Sequence, residues 1–188
     1  MKYLLPALAL SIALPGAALA QGADTAAIAA QQAAMTKLAP MRGVWRGTAV
    51  SQQAGAPEHR ITQTERIGTF LDGTLTVIEG KGYEADGKVS FHAFGVISYD
   101  PATQKYWLTS NAQGRSGKFP VWPSDTGFVW EIPAGPAVIR YTATITPTTW
   151  VEVGDYVAPN APPRRFFRME LTRLGDTNWP EAAGVPRE

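Results

Sequence analysis

From Met41 to Leu174 the chain is a run of short strand-like segments, each closed by a turn signal. Breaks fall at Gly55-Ala56-Pro57, Leu71-Asp72-Gly73, Ala85-Asp86-Gly87, Asp100-Pro101-Ala102-Thr103, Ala134-Gly135-Pro136 and Pro159 to Pro163. Between them the residues alternate with period two. His59 to Ile67 sets Ile61, Gln63 and Glu65 against Arg60, Thr62 and Thr64. Val138 to Thr146 sets Ile139, Tyr141, Ala143 and Ile145 against Val138, Arg140, Thr142 and Thr144. Arg164 to Leu174 sets Phe167, Met169 and Leu171 against Arg168, Glu170 and Thr172. Such alternation predicts strands that present one face to a core.

The other predicted strands are Trp45–Ser51, Thr74–Gly80, Val89–Tyr99, Lys105–Ser110, Gly114–Val121, Thr126–Ile132 and Trp150–Val157, with Pro123 in a loop. Turn chemistry between neighbours in linear order implies antiparallel hairpins. An open sheet of about ten strands would leave two bare edges, and closure removes both. The expectation is therefore a mainly β fold: a closed or nearly closed antiparallel up-and-down barrel of about ten strands. A barrel that wide encloses more room than its own side chains fill, so an interior site for a small molecule is expected.

Two segments precede the barrel. Met1 to Ala20 carries one charge, Lys2, then an apolar run from Leu4 to Leu14, Pro15-Gly16 and a small-residue end at Ala18-Leu19-Ala20. This is the pattern of a signal peptide cleaved near Ala20, and it implies export to the periplasm or beyond. The run is shorter than the roughly 20 residues of a membrane span, and nothing later is longer, so no span is expected in the mature chain. Ala23 to Leu38 predicts one helix, capped by Asp24 or Thr25, stopped by Pro40, with Ile28, Met35 and Leu38 near one face. It closes one end of the fold, forms a frayed linker or meets a partner. The expected organisation is signal peptide 1–20, capping helix 21–40, barrel 41–175 and a loose tail 176–188.

Composition excludes several chemistries. There is no cysteine, so disulfides, thiol catalysis and thiolate metal sites are absent. Two histidines, His59 and His92, cannot make a three-histidine metal centre. With 17 basic and 16 acidic residues the chain has no field for nucleic acid, and without Lys2 the charges balance.

Gly43-Val44-Trp45 opens the first strand after a short helical lead. It resembles the Gly-x-Trp start of lipocalin-like barrels, which include fatty-acid-binding proteins and nitrobindin. That resemblance implies a tryptophan plug at the barrel end, with a basic residue of the closing strand over it. Arg173 matches that place, with Arg168 as second choice. Gly95 to Asp100, Tyr106, and Phe166 to Arg173 resemble a bacterial family of secreted lipocalin-like (calycin-type) proteins of unknown function. The likeness covers about Leu38 to Leu174 and implies no reaction. In nitrobindin the haem ligand is a histidine near the chain end. None follows His92 here, so that ligand is not carried over and no haem or other cofactor is expected. Haem would need His59, His92, Tyr141 or Tyr156.

The candidate ligand-binding residues are His92, Phe94, Trp107, Trp130 and Tyr141. His92 lies among aromatics, where an imidazole either orients a ligand or is simply hydrogen-bonded in the core. Trp107, Trp122, Trp130 and Trp150, with Phe94, Phe128 and Tyr141, form either an aromatic pocket or a filled core and girdle. Glu131, Glu152 and Asp155 offer acid–base chemistry or cross-strand ion pairs, with Glu152 placed opposite Arg168. Ser110, Ser116 and Ser124 lack a nucleophile elbow, and Gly114 to Lys118 reads as a hairpin tip. No catalytic or metal residue is assigned. Three functions follow: an exported barrel binding a small apolar or amphipathic molecule, an enzyme pairing a cavity carboxylate with His92, or a filled scaffold that contacts a protein partner.

Overall fold

A computed structural model describes residues 22–52 and 55–180. The signal-like segment 1–20 and most of the tail lie outside the described residues. Ten strands follow a short helix: β1 Gly43–Ser51, β2 His59–Phe70, β3 Leu75–Tyr83, β4 Val89–Asp100, β5 Lys105–Ala112, β6 Arg115–Ser124, β7 Gly127–Ala134, β8 Ala137–Ile145, β9 Thr149–Val157 and β10 Arg164–Gly175. Each pairs antiparallel with its chain neighbours, and β1 pairs with β10, so the sheet closes into a barrel. The fold is the one the alternation predicts. Pro123 differs: it lies within β6, opposite Phe128, and not in a loop.

The helix α1 (Thr25–Met35) begins at Asp24, whose carboxylate accepts the Ala27 N–H at 2.9 Å. It ends earlier than predicted. A 3-10 turn, Thr36–Met41, carries the chain across Pro40 into β1. Met35, Leu38 and Met41 are buried under the barrel's end, whereas Ile28 is 36% exposed and is not part of the buried face. Helix and barrel are tied by Tyr106, whose hydroxyl donates to the Ala34 carbonyl at 3.0 Å, and by Gln32, which donates to the Asp72 carbonyl at 2.8 Å.

Trp45 is fully buried at this end. Its indole N–H donates to the Met41 carbonyl at 2.8 Å. Its ring meets Trp150 edge to face at 5.9 Å, and Trp150 meets Phe128 at 5.9 Å. Gly43 lets β1 enter here. Its φ is +128°, and a Cβ would lie 2.6 Å from the Gly175 carbonyl and 2.9 Å from the Arg173 guanidinium.

The wall is not uniform. β6 pairs with β5 from Arg115 to Val121, but with β7 only from Val121 to Ser124. β7 continues along β8 to Ala134. The strands β6 and β7 therefore part toward the end away from Trp45. Pro120 and Pro133 lie on the two parting segments, and each removes a backbone donor from the wall. At the chain's end, Trp179 packs on the outside of the barrel, with Arg66 4.5 Å above its ring and Phe94 edge-on at 6.4 Å. The described part of the tail, as far as Pro180, thus lies against the barrel through Trp179.

Candidate functional site

Alternation on ten strands turns one set of side chains inward, and above the Trp45 plug they do not fill the space. They surround a cavity of about 920 Å³. Its wall is mostly apolar: Ile61, Ile78, Phe91, Ile97, Leu108, Phe119, Val121, Phe128, Ile132, Ile139, Phe167 and Met169. Ser51, His59, Ser90, Gln113, Arg115 and Ser116 form its rim at the end opposite Trp45. The filled-scaffold reading does not hold against an interior of this size.

Two of the five predicted ligand residues line it. Trp130 and Tyr141 are cross-strand partners on β7 and β8, stacked at 4.4 Å and 9°. Phe119 leans on Trp130 at 5.9 Å, and Phe167 on Tyr141 at 5.8 Å. The other three do not line it. Phe91, Ala93, Gly95 and Ile97 are the inward residues of β4, which turns His92 and Phe94 to the outer face. His92 is exposed there, 3.2 Å from Glu79. Phe94 is 41% exposed and meets Trp179. Trp107 is outward on β5, with the Lys118 ammonium 4.9 Å from its ring. A mechanism joining His92 to a cavity carboxylate is therefore excluded. At the sealed end, the Arg173 guanidinium lies 5.8 Å from the Trp45 ring and donates to the Arg42 carbonyl at 3.2 Å. Arg168 instead pairs with Glu170.

The acidic residues divide by face. Glu131 pairs with Arg140 at 2.6 Å, and Asp155 with Arg165 at 2.9 Å, both on the outside. Glu79 is held on the outer face by Arg66, Lys81 at 3.1 Å and His92 at 3.2 Å. Partial burial opposes its charge, but these donors outweigh that and bring its pKa down to about 2. Glu152 does not face Arg168: its register partner is Met169, and Arg168 faces Val153. It points inward, where its two oxygens accept the indole N–H groups of Trp130 at 3.0 Å and Trp150 at 3.2 Å. Glu65, not singled out from sequence, is the second interior acid. It accepts from Gln63 at 2.6 Å.

Burial sets the electrostatics. Desolvation pushes the Glu65 carboxyl up to about 8, against the Gln63 hydrogen bond and with help from the Glu152 and Glu79 charges. Desolvation also raises Glu152, against its two indole donors. Tyr141 is pushed up to about 12 by burial and then by Glu152. At neutral pH Glu65 is thus a protonated acid, able to donate as well as accept. Glu65 has a sequence signal after all: Gln63 and Glu65 alternate in phase with Ile61, and Gly80 lies opposite in register. A glycine inside a strand marks a close approach, here by the Glu65 carboxyl.

Ser110 and Ser116 line the cavity, and Ser124 is exposed beyond it. Gln113-Gly114 forms the β5–β6 turn with φ of +51° and +74°, the hairpin tip expected there. Among the described residues no cluster of three or more His, Cys, Asp or Glu side chains is placed to hold a metal. No described helix is long and apolar enough to cross a membrane.

No protein-family model matches the chain, and no curated protein matches it significantly. Solved structures do match. One is the S-type phycobiliprotein lyase CPES from Guillardia theta, 13% identical, with a TM-score of 0.51 over 77% of this chain and 93% of that one. At this identity the likeness is one of fold alone.

Proposed function

We propose that the protein is an exported barrel that holds one small apolar or aromatic molecule in its interior. The observation that carries this is the cavity of about 920 Å³, apolar-walled, with a stacked Trp130–Tyr141 pair and few polar groups. That is the size and character of a site for a drug-sized ligand. The rim away from Trp45, and the parting of β6 from β7, supply a way in. Export rests on the pattern of residues 1–20, a basic start, an apolar run and a small-residue end. The fold shared with a phycobiliprotein lyase supports ligand binding at the level of architecture and brings no substrate or reaction to this chain. The bacterial, secreted lipocalin-like family that Gly95 to Asp100, Tyr106 and Phe166 to Arg173 resemble is the kinship this reading adopts.

The test is titration of the purified protein with neutral lipophiles, followed by tryptophan fluorescence and calorimetry. A saturable response is expected for at least one flat aromatic compound. Ala93→Phe and Ser110→Phe each place bulk in the cavity and should abolish that response while the circular dichroism of the barrel persists. Flat titrations across a broad library, or undiminished binding in both filled variants, overturn the reading.

A further inference from the structure

We propose that the cavity is a receptor for a protonated amine carried on an apolar or aromatic body, held by Glu65 and Glu152 against the Trp130–Tyr141 stack. This rests on the reading that the cavity takes a small molecule, and it adds the charge of that molecule.

The first observation is the contrast between inner and outer acids. Outside the barrel, Glu79, Glu131 and Asp155 each have a cation within hydrogen-bond reach. Inside, Glu65 and Glu152 are 8% and 7% exposed and have none. Among the described residues lining the cavity, the basic side chains are His59 and Arg115, both exposed at the rim. Buried acids are ordinarily paired, and a pair lining a cavity without a cation leaves that role to a ligand.

The second observation is the room made for Glu65. Gly80 stands beside its carboxyl, and a Cβ there would lie 2.7 Å from one oxygen and 2.9 Å from the other. Gln63 supplies one hydrogen bond, to Oε1, and no other described group donates to this carboxyl. Glu65 is thus more than nine-tenths buried, lines the cavity and keeps Oε2 unpartnered among the described residues.

The third observation is the aromatic wall. The Trp130 indole that donates to Glu152 from its ring edge is the same ring that stacks on Tyr141, so the carboxyl and the aromatic pair border one stretch of the cavity. An amine there gains carboxylate hydrogen bonds for its ammonium and apolar contact with the aromatic pair for its body. An ammonium draws the Glu65 proton off to solvent and meets a carboxylate there, whereas a carboxylate ligand finds no deep cation to pair with. An alcohol makes a hydrogen bond but no charge interaction.

The experiment compares three probes on one ring system: 2-(1-naphthyl)ethylamine, 2-(1-naphthyl)ethanol and 1-naphthylacetate, by calorimetry on the purified protein. The amine should bind at least about tenfold tighter than the alcohol and about a hundredfold tighter than the acetate. Glu65→Gln and Glu152→Gln should each bring the amine to within about threefold of the alcohol measured on the same variant. If one variant fails to fold, the other and the wild-type probe series still decide. Equal binding of amine and alcohol, or tightest binding of the acetate, overturns the amine receptor. In that outcome the cavity reading stands, because alcohol binding that Ala93→Phe abolishes still reports it. Failure of all three probes overturns the amine receptor, and the neutral-lipophile titrations then decide the cavity reading alone.

Discussion

The sealed end of the barrel and its open half are built from the same ten strands, yet their side chains do different work. At the sealed end Trp45, Met35, Leu38, Met41 and Ile67 are buried to within 2% of complete cover. The polar edges there are satisfied, as in the Trp45 indole on Met41 and the Tyr106 hydroxyl on Ala34. In the open half Ile61, Phe91, Phe119, Ile132 and Ile139 are only partly covered, and two carboxyls face a cavity. Filling a core stabilises a fold, and leaving one unfilled makes room for a ligand. On the proposed reading, stability resides at one end and recognition at the other.

The largest expected effect tests that assignment directly. Trp45→Ala removes the plug and its contacts with Trp150, and should cost about 3–5 kcal/mol in denaturant unfolding. Ile139→Ala, in the partly covered half, should cost about 1 kcal/mol. Equal losses for the two would break the comparison.

A smaller effect separates the interior acids from the outer ones. Glu65 ionises near 8 in the folded chain and near 4.5 as an unperturbed carboxyl. The folded state therefore holds a proton that the unfolded state has lost, and stability falls as pH rises between those values. Glu152, also raised, acts in the same direction. Glu79, held near 2, acts oppositely: its contribution is present above about 4.5 and is lost as pH falls toward 2. Glu65→Gln should flatten the alkaline decline and exceed the wild type by on the order of 2–4 kcal/mol at pH 9, with the difference vanishing near pH 5. Parallel stability curves for the two proteins would mean that Glu65 is in contact with bulk water.

Much of the barrel was legible because hairpin turns and period-two segments are local signals. The site was less so. On β2 the inward set was visible as Ile61, Gln63 and Glu65, but a rule of apolar residues inside gives no reason to turn two polar residues toward a core. They point inward because the interior is a cavity and not a packed core. Glu152 was misread because an ion pair with Arg168 depends on register, and a shift between Arg165 and Phe167 moves Arg168 opposite Val153. Phe94 and Trp107 were misplaced for another reason. Their strands are apolar on both faces, and what covers them outside is remote or small: Trp179 from the tail and the Lys118 side chain. Nothing in a local pattern reports a residue 85 positions away.

The smallest effect concerns how the plug is held. Arg173 lies over Trp45 at 5.8 Å and also donates to the Arg42 carbonyl, so its removal takes away a cation–π contact and a backbone hydrogen bond. Arg173→Met keeps much of the apolar stem and should cost about 1–2 kcal/mol. Trp45→Phe alone and the double variant complete a cycle, with an expected coupling of about 0.5–1 kcal/mol. A coupling of zero would mean that Arg173 acts only through Arg42 and Asp176, as a clasp on the β10 end. In either case naphthylethanol affinity should stay unchanged, because Arg173 does not line the cavity. A change in that affinity would show that the two ends are coupled through the strands, and the division between them would need redrawing.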